Sequence, residues 1–300
     1  MKKLGNAIQI NSIKRLAYTD GPEKGLEILS VSNGVLDFEI LPDFCLDLGQ
    51  LRHKGANISF ISKNGFVARR APYMKKFCGG MLYTCGLDSI GQREGFEVHG
   101  SIHGTPARIS EIFCDDNKIR VTGTMTDSAL FGKNIKLTRT IETQFSSGAV
   151  DICDEVQNAG FADEDYCLLY HINIGFPMLD AGANIYADAI SSRGRTKFAQ
   201  ENIKDCFNIS EPVDAEEQVF YHVLKSGRVT VENPIIKKRF SLTYNAAALP
   251  HFVEWKSMIA GDYALGLEPS TSLFDDEFKY SQIKAGETKT YKLRLEVGDI

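Results

Sequence analysis

The chain is poor in the features that would mark several common classes of protein. It has no apolar stretch near the roughly 20 residues that a membrane-spanning helix needs, and no membrane association is expected. The start, Met1-Lys2-Lys3-Leu4-Gly5-Asn6, is basic, but the apolar run of an export signal does not follow it, so export is not expected either. A basic stripe is also missing. The 34 Lys and Arg are scattered among 39 Asp and Glu, the net charge is −5, and no nucleic-acid partner is expected. The seven cysteines (Cys45, Cys78, Cys85, Cys114, Cys153, Cys167 and Cys206) are odd in number and form no C-x-x-C pair, which argues against a disulfide framework or a zinc site. Several lie in apolar runs, such as Cys167 beside Leu168 and Leu169, and read as small buried thiols of a reducing, cytoplasmic compartment. Helical periodicity is scarce: Ala7 to Leu16 could form one or two turns. Neither a Pro- or Ser-rich linker nor an internal repeat divides the chain. With 43% hydrophobic residues there is enough apolar material for one large core, and a single domain over residues 1–300 is expected.

What is present is a succession of short β-branched or aromatic runs separated by turn residues. Leu26 to Ser30 and Val35 to Ile40 flank Ser32-Asn33-Gly34, a hairpin signal. Arg108 to Cys114 and Ile119 to Met125 flank Asp115 to Lys118, and Lys136 to Gln144 and Val150 to Val156 flank Ser146-Ser147-Gly148. Further strands are expected at 168–174, 218–224, 228–232, 240–244, 252–255, 263–267 and 291–297. So many strands joined by turns imply an all-β fold of packed antiparallel sheets, too large for a seven-stranded sandwich.

Two strands carry candidate chemistry. In Tyr166 to Pro177, alternation puts Tyr166, Leu168, Tyr170, Ile172 and Ile174 on one face and Cys167, Leu169, His171 and Asn173 on the other. His171 is either a core histidine satisfied by a backbone carbonyl or half of an acid–base pair. In Asp262 to Pro269, Tyr263, Leu265 and Leu267 form the apolar face, and the opposite face reads Asp262, Ala264, Gly266, Glu268. Two small residues leave room before a carboxylate, where a ligand ring could lie; the alternative is a solvated strand face with a glycine bulge. The stretch from Cys78 to Pro106 holds seven glycines, reads as a long irregular ligand-facing loop, and carries His99 and His103. These histidines could aim at ligand hydroxyls, and so could Asp88, though Asp is also a common turn former. Arg69-Arg70 and Lys75-Lys76 form a basic cluster, mostly solvated, from which one side chain could reach a ligand oxygen or an anionic substituent.

Taken in order, these elements resemble the aldose 1-epimerase (galactose mutarotase) superfamily, and more closely its bacterial DUF4432 branch. Phe77 to Asp88 resembles that branch's GGL-x-T-C-G-L signature. Val98-His99-Gly100 with Thr105-Pro106-Ala107 resembles its histidine–glycine loop, Tyr170 to Gly175 its histidine strand, and Gly266-Leu267-Glu268-Pro269 its glutamate strand end. The resemblance implies a large antiparallel β-supersandwich with a sugar groove, a small-molecule sugar as partner, and neither metal nor organic cofactor. It implies that α and β anomers are interconverted, with Glu268 taking the anomeric hydroxyl proton and protonated His171 donating to the ring oxygen. His99, with His103 less strongly, and Asp88, Asn173, Lys75 and Arg70 are the candidate substrate-binding residues. The Asn-Arg pair of typical members, placed before the histidine–glycine loop, is missing here, and Lys75 or Arg70 is expected to substitute. Two other readings are a sugar-binding regulator without turnover and a metal-dependent isomerase using His99, His103 and Glu268. Monomer and homodimer are equally compatible with the sequence.

Overall fold

A computed structural model describes residues 3–68 and 71–300 of the chain. The period-2 patterns become strands that bury every second side chain. Lys118–Ser128 and Asn134–Gln144 alternate buried with half-buried positions along most of their length and pair in register from Lys118–Gln144 to Ser128–Asn134. Among the described residues there are two antiparallel sheets, one of five strands and one of thirteen. The smaller runs in chain order through Ser12–Ala17, Glu27–Ser32, Leu36–Leu41, Asp47–His53 and Ala56–Asn57.

The larger sheet brings together strands far apart in sequence. At its centre His251–Ile259 lies between Asp262–Ser270 and Gln218–Asn233, and Glu164–Ile174 pairs with the other edge of Asp262–Ser270. The main core takes side chains from Leu29 to Val297 and includes Leu168, Tyr170, Ile172, Leu265 and Leu267. Each fully buried aliphatic or aromatic side chain there contributes about 1.5–3 kcal/mol relative to exposure. A second apolar cluster, with Tyr83, Cys85, Leu169, Tyr221, Val253 and Phe274, covers the opposite face of the same strands. The architecture is the all-β one of large antiparallel sheets that the strand pattern implies. Among the described residues no helix is long and apolar enough to cross a membrane.

Ala7 to Leu16 makes one 3-10 turn, Ala7–Gln9, within the one or two expected, and continues as the strand Ser12–Ala17, where pairing with Glu27–Ser32 satisfies its backbone. Two local expectations are corrected. The glycine-rich stretch is not all loop. Leu82–Leu87 within it is a fully buried strand paired with Glu164–Ile174, and Gly86 lies so close to that neighbour that a Cβ would stand 2.3 Å from the Cys167 carbonyl oxygen. The runs at 218–224 and 228–232 are one continuous strand, Gln218–Asn233.

Candidate functional site

Strand register assembles the site. Tyr83 lies opposite His171. On the other side Ile172 faces Leu267 and Asn173 faces Gly266, so the same register sets His171 across from Glu268. Val253 is opposite Glu268, and Tyr221 opposite Val253. Residues in register on neighbouring strands point to the same face, so Tyr83, His171, Glu268, Val253 and Tyr221 form a row, with strands about 4.8 Å apart. Within it His171 Nε2 stands 3.2 Å from Glu268 Oε1. Both side chains are almost wholly buried, at 3% and 1% exposure. Yet His171 Nδ1 and Glu268 Oε1 have no partner in hydrogen-bonding geometry among the described residues, so the contact is close without being a formed hydrogen bond.

Gly266 makes this approach possible. A Cβ there would lie 2.5 Å from Glu268 Oε1, 2.9 Å from His171 Cε1 and 3.0 Å from Trp255 Cβ. Aromatic rings wall the pair. Trp255 and Phe77 lie edge-on or tilted to the His171 ring at 5.4 and 5.7 Å, and His99 meets it edge-on at 5.6 Å. Tyr73, in the single helical turn Tyr73–Lys76, packs on His99 at 5.5 Å. Phe274 closes the far side of His99 at 6.2 Å and reaches Tyr221 at 5.7 Å. The Tyr221 hydroxyl is buried and has no hydrogen-bond partner among the described residues. Arg195 lies over Phe274, 5.1 Å from the ring, and forms no ion pair among the described residues.

The electrostatics follow from burial. Desolvation holds the Glu268 carboxyl well above its ordinary value, and Glu217 and Glu254 push it the same way. Burial, then the neighbouring His99, holds His171 well below the usual imidazole range. Asn173 opposes this by favouring the protonated ring. Both shifts favour the uncharged forms, a carboxylic acid beside a neutral imidazole, over a carboxylate facing an imidazolium. His99 is pushed down to about 4 by burial first and by Arg195 second. Its Nδ1 accepts from the Gly91 N–H at 3.3 Å, which places the ring proton on Nε2 and makes His99 a neutral donor. Its backbone is left-handed, φ 64°, a strained conformation for a residue other than glycine.

Of the other candidates, Asn173 shares the face of the pair and donates to the carbonyls of Gly80 and His171. His103 is not brought to the pair: it is sandwiched between Phe44 and Tyr83, and its Nδ1 donates to Asp47 Oδ2 at 2.8 Å. Asp88 is spent on its own loop, accepting from the Ser89 and Ser101 amides and the Ser101 hydroxyl. Lys75 is exposed and without a side-chain partner among the described residues, while Lys76 pairs with Glu97 at 2.8 Å. Arg70 lies outside the described residues. The metal set His99, His103, Glu268 is not assembled, because His103 faces Asp47. Sequence reading missed Tyr73, Phe274, Tyr221 and Arg195, which have no motif spacing and come together only through the fold.

A family model, Domain of unknown function (DUF4432), matches residues 23–297. The chain belongs to the DUF4432 family. No curated protein matches it. Among solved structures, this DUF4432 chain is similar to a Klebsiella pneumoniae protein provisionally named an aldose 1-epimerase, with TM-score 0.86 and 21% identity over 96% of this chain and 83% of that one. It is also similar to a galactose mutarotase-like protein from Clostridium acetobutylicum, with TM-score 0.71 and 13% identity over 97% of this chain and all of that one. At these identities the likeness establishes the fold of this DUF4432 member.

Proposed function

We propose that the protein is an enzyme of the aldose 1-epimerase type, interconverting the α and β anomers of a free or modified sugar through His171 and Glu268. The observation that carries this is the 3.2 Å approach of an imidazole and a carboxyl, both buried, over a floor cleared by Gly266. From the neutral resting pair, moving the carboxyl proton across that gap yields a carboxylate base and an imidazolium acid. Glu268 then takes the proton of the anomeric hydroxyl while His171 protonates the ring oxygen. The C1–O5 bond breaks, the aldehyde rotates, and the reverse transfers close the ring on either face. Such general acid–base help is worth about 10²–10⁴-fold per group. His99, a neutral Nε2–H donor, would hold a sugar oxygen, with Trp255 and Phe77 as apolar walls for the ring.

The test is proton NMR of anomer exchange after freshly dissolved α-anomers of several aldoses, pentoses and deoxysugars are added. Acceleration supports an enzyme. Ligand-induced shifts without acceleration would favour a sugar-binding protein that does not turn over.

The rate should be bell-shaped in pH. Acid protonates the imidazole and removes the receiving site, so the acid limb should lie below the ordinary 6.5. Base strips the carboxyl proton, so the alkaline limb should lie above the ordinary 4.5. The two limbs belong to the coupled pair. A kcat/KM profile with its alkaline limb near the ordinary carboxylate value would refute the neutral resting state.

Gly266→Ala forces the carboxyl and imidazole apart. Misplacement by about 1 Å costs roughly 10²-fold, and that loss is expected with an unchanged circular-dichroism spectrum. An active Gly266→Ala protein would mean that the close pair is not used.

A further inference from the structure

A second cluster of chemically capable side chains lies on the other face of the central strand. Glu254 and Lys256 alternate there with Val253 and Trp255, which face the site just described. Glu254 meets His222 from the neighbouring strand, with His222 Nε2 3.0 Å from Glu254 Oε2. The turn after the short Ile203–Asp205 helix brings Cys206 to the same place, and one ligand atom from each of the three residues lies within 4.8 Å of the others. Cys206, His222 and Glu254 are all buried. We propose that they form a binding site for a borderline-soft divalent cation of the zinc type, which clamps the 195–208 segment to the sheet.

Three observations besides proximity support the site. The Nδ1 of His222 is bound to Ser192 Oγ at 2.7 Å, which fixes the ring and leaves Nε2 as the inward-facing nitrogen. Orienting a metal-binding histidine through its other nitrogen is the usual arrangement around such ions. Glu254 Oε1 is buried with no hydrogen-bond partner among the described residues, a costly state that a cation would relieve. The donor set of thiolate, imidazole and carboxylate is one that zinc accepts, at about 2.3, 2.0–2.1 and 2.0–2.2 Å respectively. A tetrahedral ion at those distances sets neighbouring ligand atoms roughly 3.3–3.6 Å apart, against 3.0 Å for the His222–Glu254 contact and no more than 4.8 Å for any pair of the three.

Charge is compatible with the assignment. A thiolate and a carboxylate balance a divalent ion. Lys256, the other charged group facing the cluster, directs its ammonium at the carbonyls of Asp205, Cys206 and Asn208, at 2.6, 3.0 and 3.1 Å. It thereby shapes the turn that presents Cys206. Phe207 stacks on the His222 ring at 4.9 Å and shields it from solvent.

The test uses the full, untagged chain, stripped with chelator and titrated with Zn²⁺ or Co²⁺ alone. One equivalent is expected to bind and to raise the melting temperature. The cobalt form should show a sulfur-to-metal charge-transfer band in the near ultraviolet with strong tetrahedral visible bands. Cys206→Ser should abolish the charge-transfer band, and His222→Gln should weaken binding by about 10–100-fold or more. The cobalt spectrum of the unaltered chain reads the thiolate even where a variant folds poorly. Folded protein that takes up no metal, or binding unchanged in both variants, would overturn the proposal. Anomer exchange is measured separately, so neither result stands in for the other.

Discussion

Replacing Glu268 by glutamine is expected to lower anomer exchange by about 10²–10⁴-fold while leaving the fold intact or more stable. Glutamine keeps the shape but can neither release nor take the reacting proton. His171→Asn should cost a similar factor, and the double variant little more, because two groups passing one proton act as a unit. The stability effect has a definite sign. Glu268's folded value is raised, so the native state keeps a proton that the unfolded chain has lost once pH exceeds the ordinary 4.5. Wild-type stability therefore falls as pH rises from there towards the folded value, and Glu268→Gln removes that loss. Denaturant unfolding at pH 5 and pH 8 should show the variant gaining more at pH 8. Equal differences at both would mean that Glu268 rests as a carboxylate. A variant that stays fully active would end the acid–base reading altogether.

How much of the site is legible in the sequence depends on the range of each interaction. The two faces of 166–174 and of 262–268 follow from a local period of two, and the core takes Leu168, Tyr170, Ile172, Leu265 and Leu267 as that period requires. The room before Glu268 is likewise visible in the small residues Ala264 and Gly266. Register is another matter. That His171 falls opposite Glu268, rather than one residue off and facing away, depends on pairing between strands almost a hundred positions apart. His99 and His103 look alike in sequence, both within a His-Gly pair. They part because Asp47, on another sheet, takes His103, while the Gly91 amide turns His99 towards His171. Aromatic walls such as Phe274 and Tyr221 carry no spacing signal.

The alternation itself holds one further signal. In 136–144 the inward parity is Leu137, Arg139, Ile141, Thr143, and in 150–156 it is Val150, Ile152, Asp154, Val156. A charge at a core position on each of two paired strands is not a surface pattern, and Asp154 stands opposite Arg139 in the sheet. Opposite charges at matching inward positions of a hairpin mark a buried pair in the sequence alone.

That pair carries the largest stability effect expected here. Arg139 is fully buried. It donates to both Asp154 oxygens, from Nε at 2.9 Å and Nη2 at 2.6 Å, and to Asp47 Oδ1 from Nη1 at 2.5 Å. The Cys45 carbonyl and the Thr84 hydroxyl accept as well, Tyr170 donates to Asp154, and His103 donates to Asp47. Methionine at 139 would fill the space but leave two buried carboxylates facing each other without their cation. Breaking such a pair from one side costs about 3–5 kcal/mol, a large part of the roughly 5–15 kcal/mol that holds a typical protein folded. Arg139→Met should therefore shift the denaturant midpoint strongly downward, and adding Asp47→Asn and Asp154→Asn should recover part of the loss by removing the stranded charges. A midpoint shift worth less than about 1 kcal/mol would mean that the network is dispensable. The site should feel the change as well. Asp47 holds the Thr84 amide at 2.8 Å and so fixes the Leu82–Leu87 strand, whose Tyr83 lies opposite His171. Below its melting temperature the Arg139→Met protein should then lose anomer exchange further than its folded fraction accounts for, because the strand beside the imidazole is no longer pinned from behind.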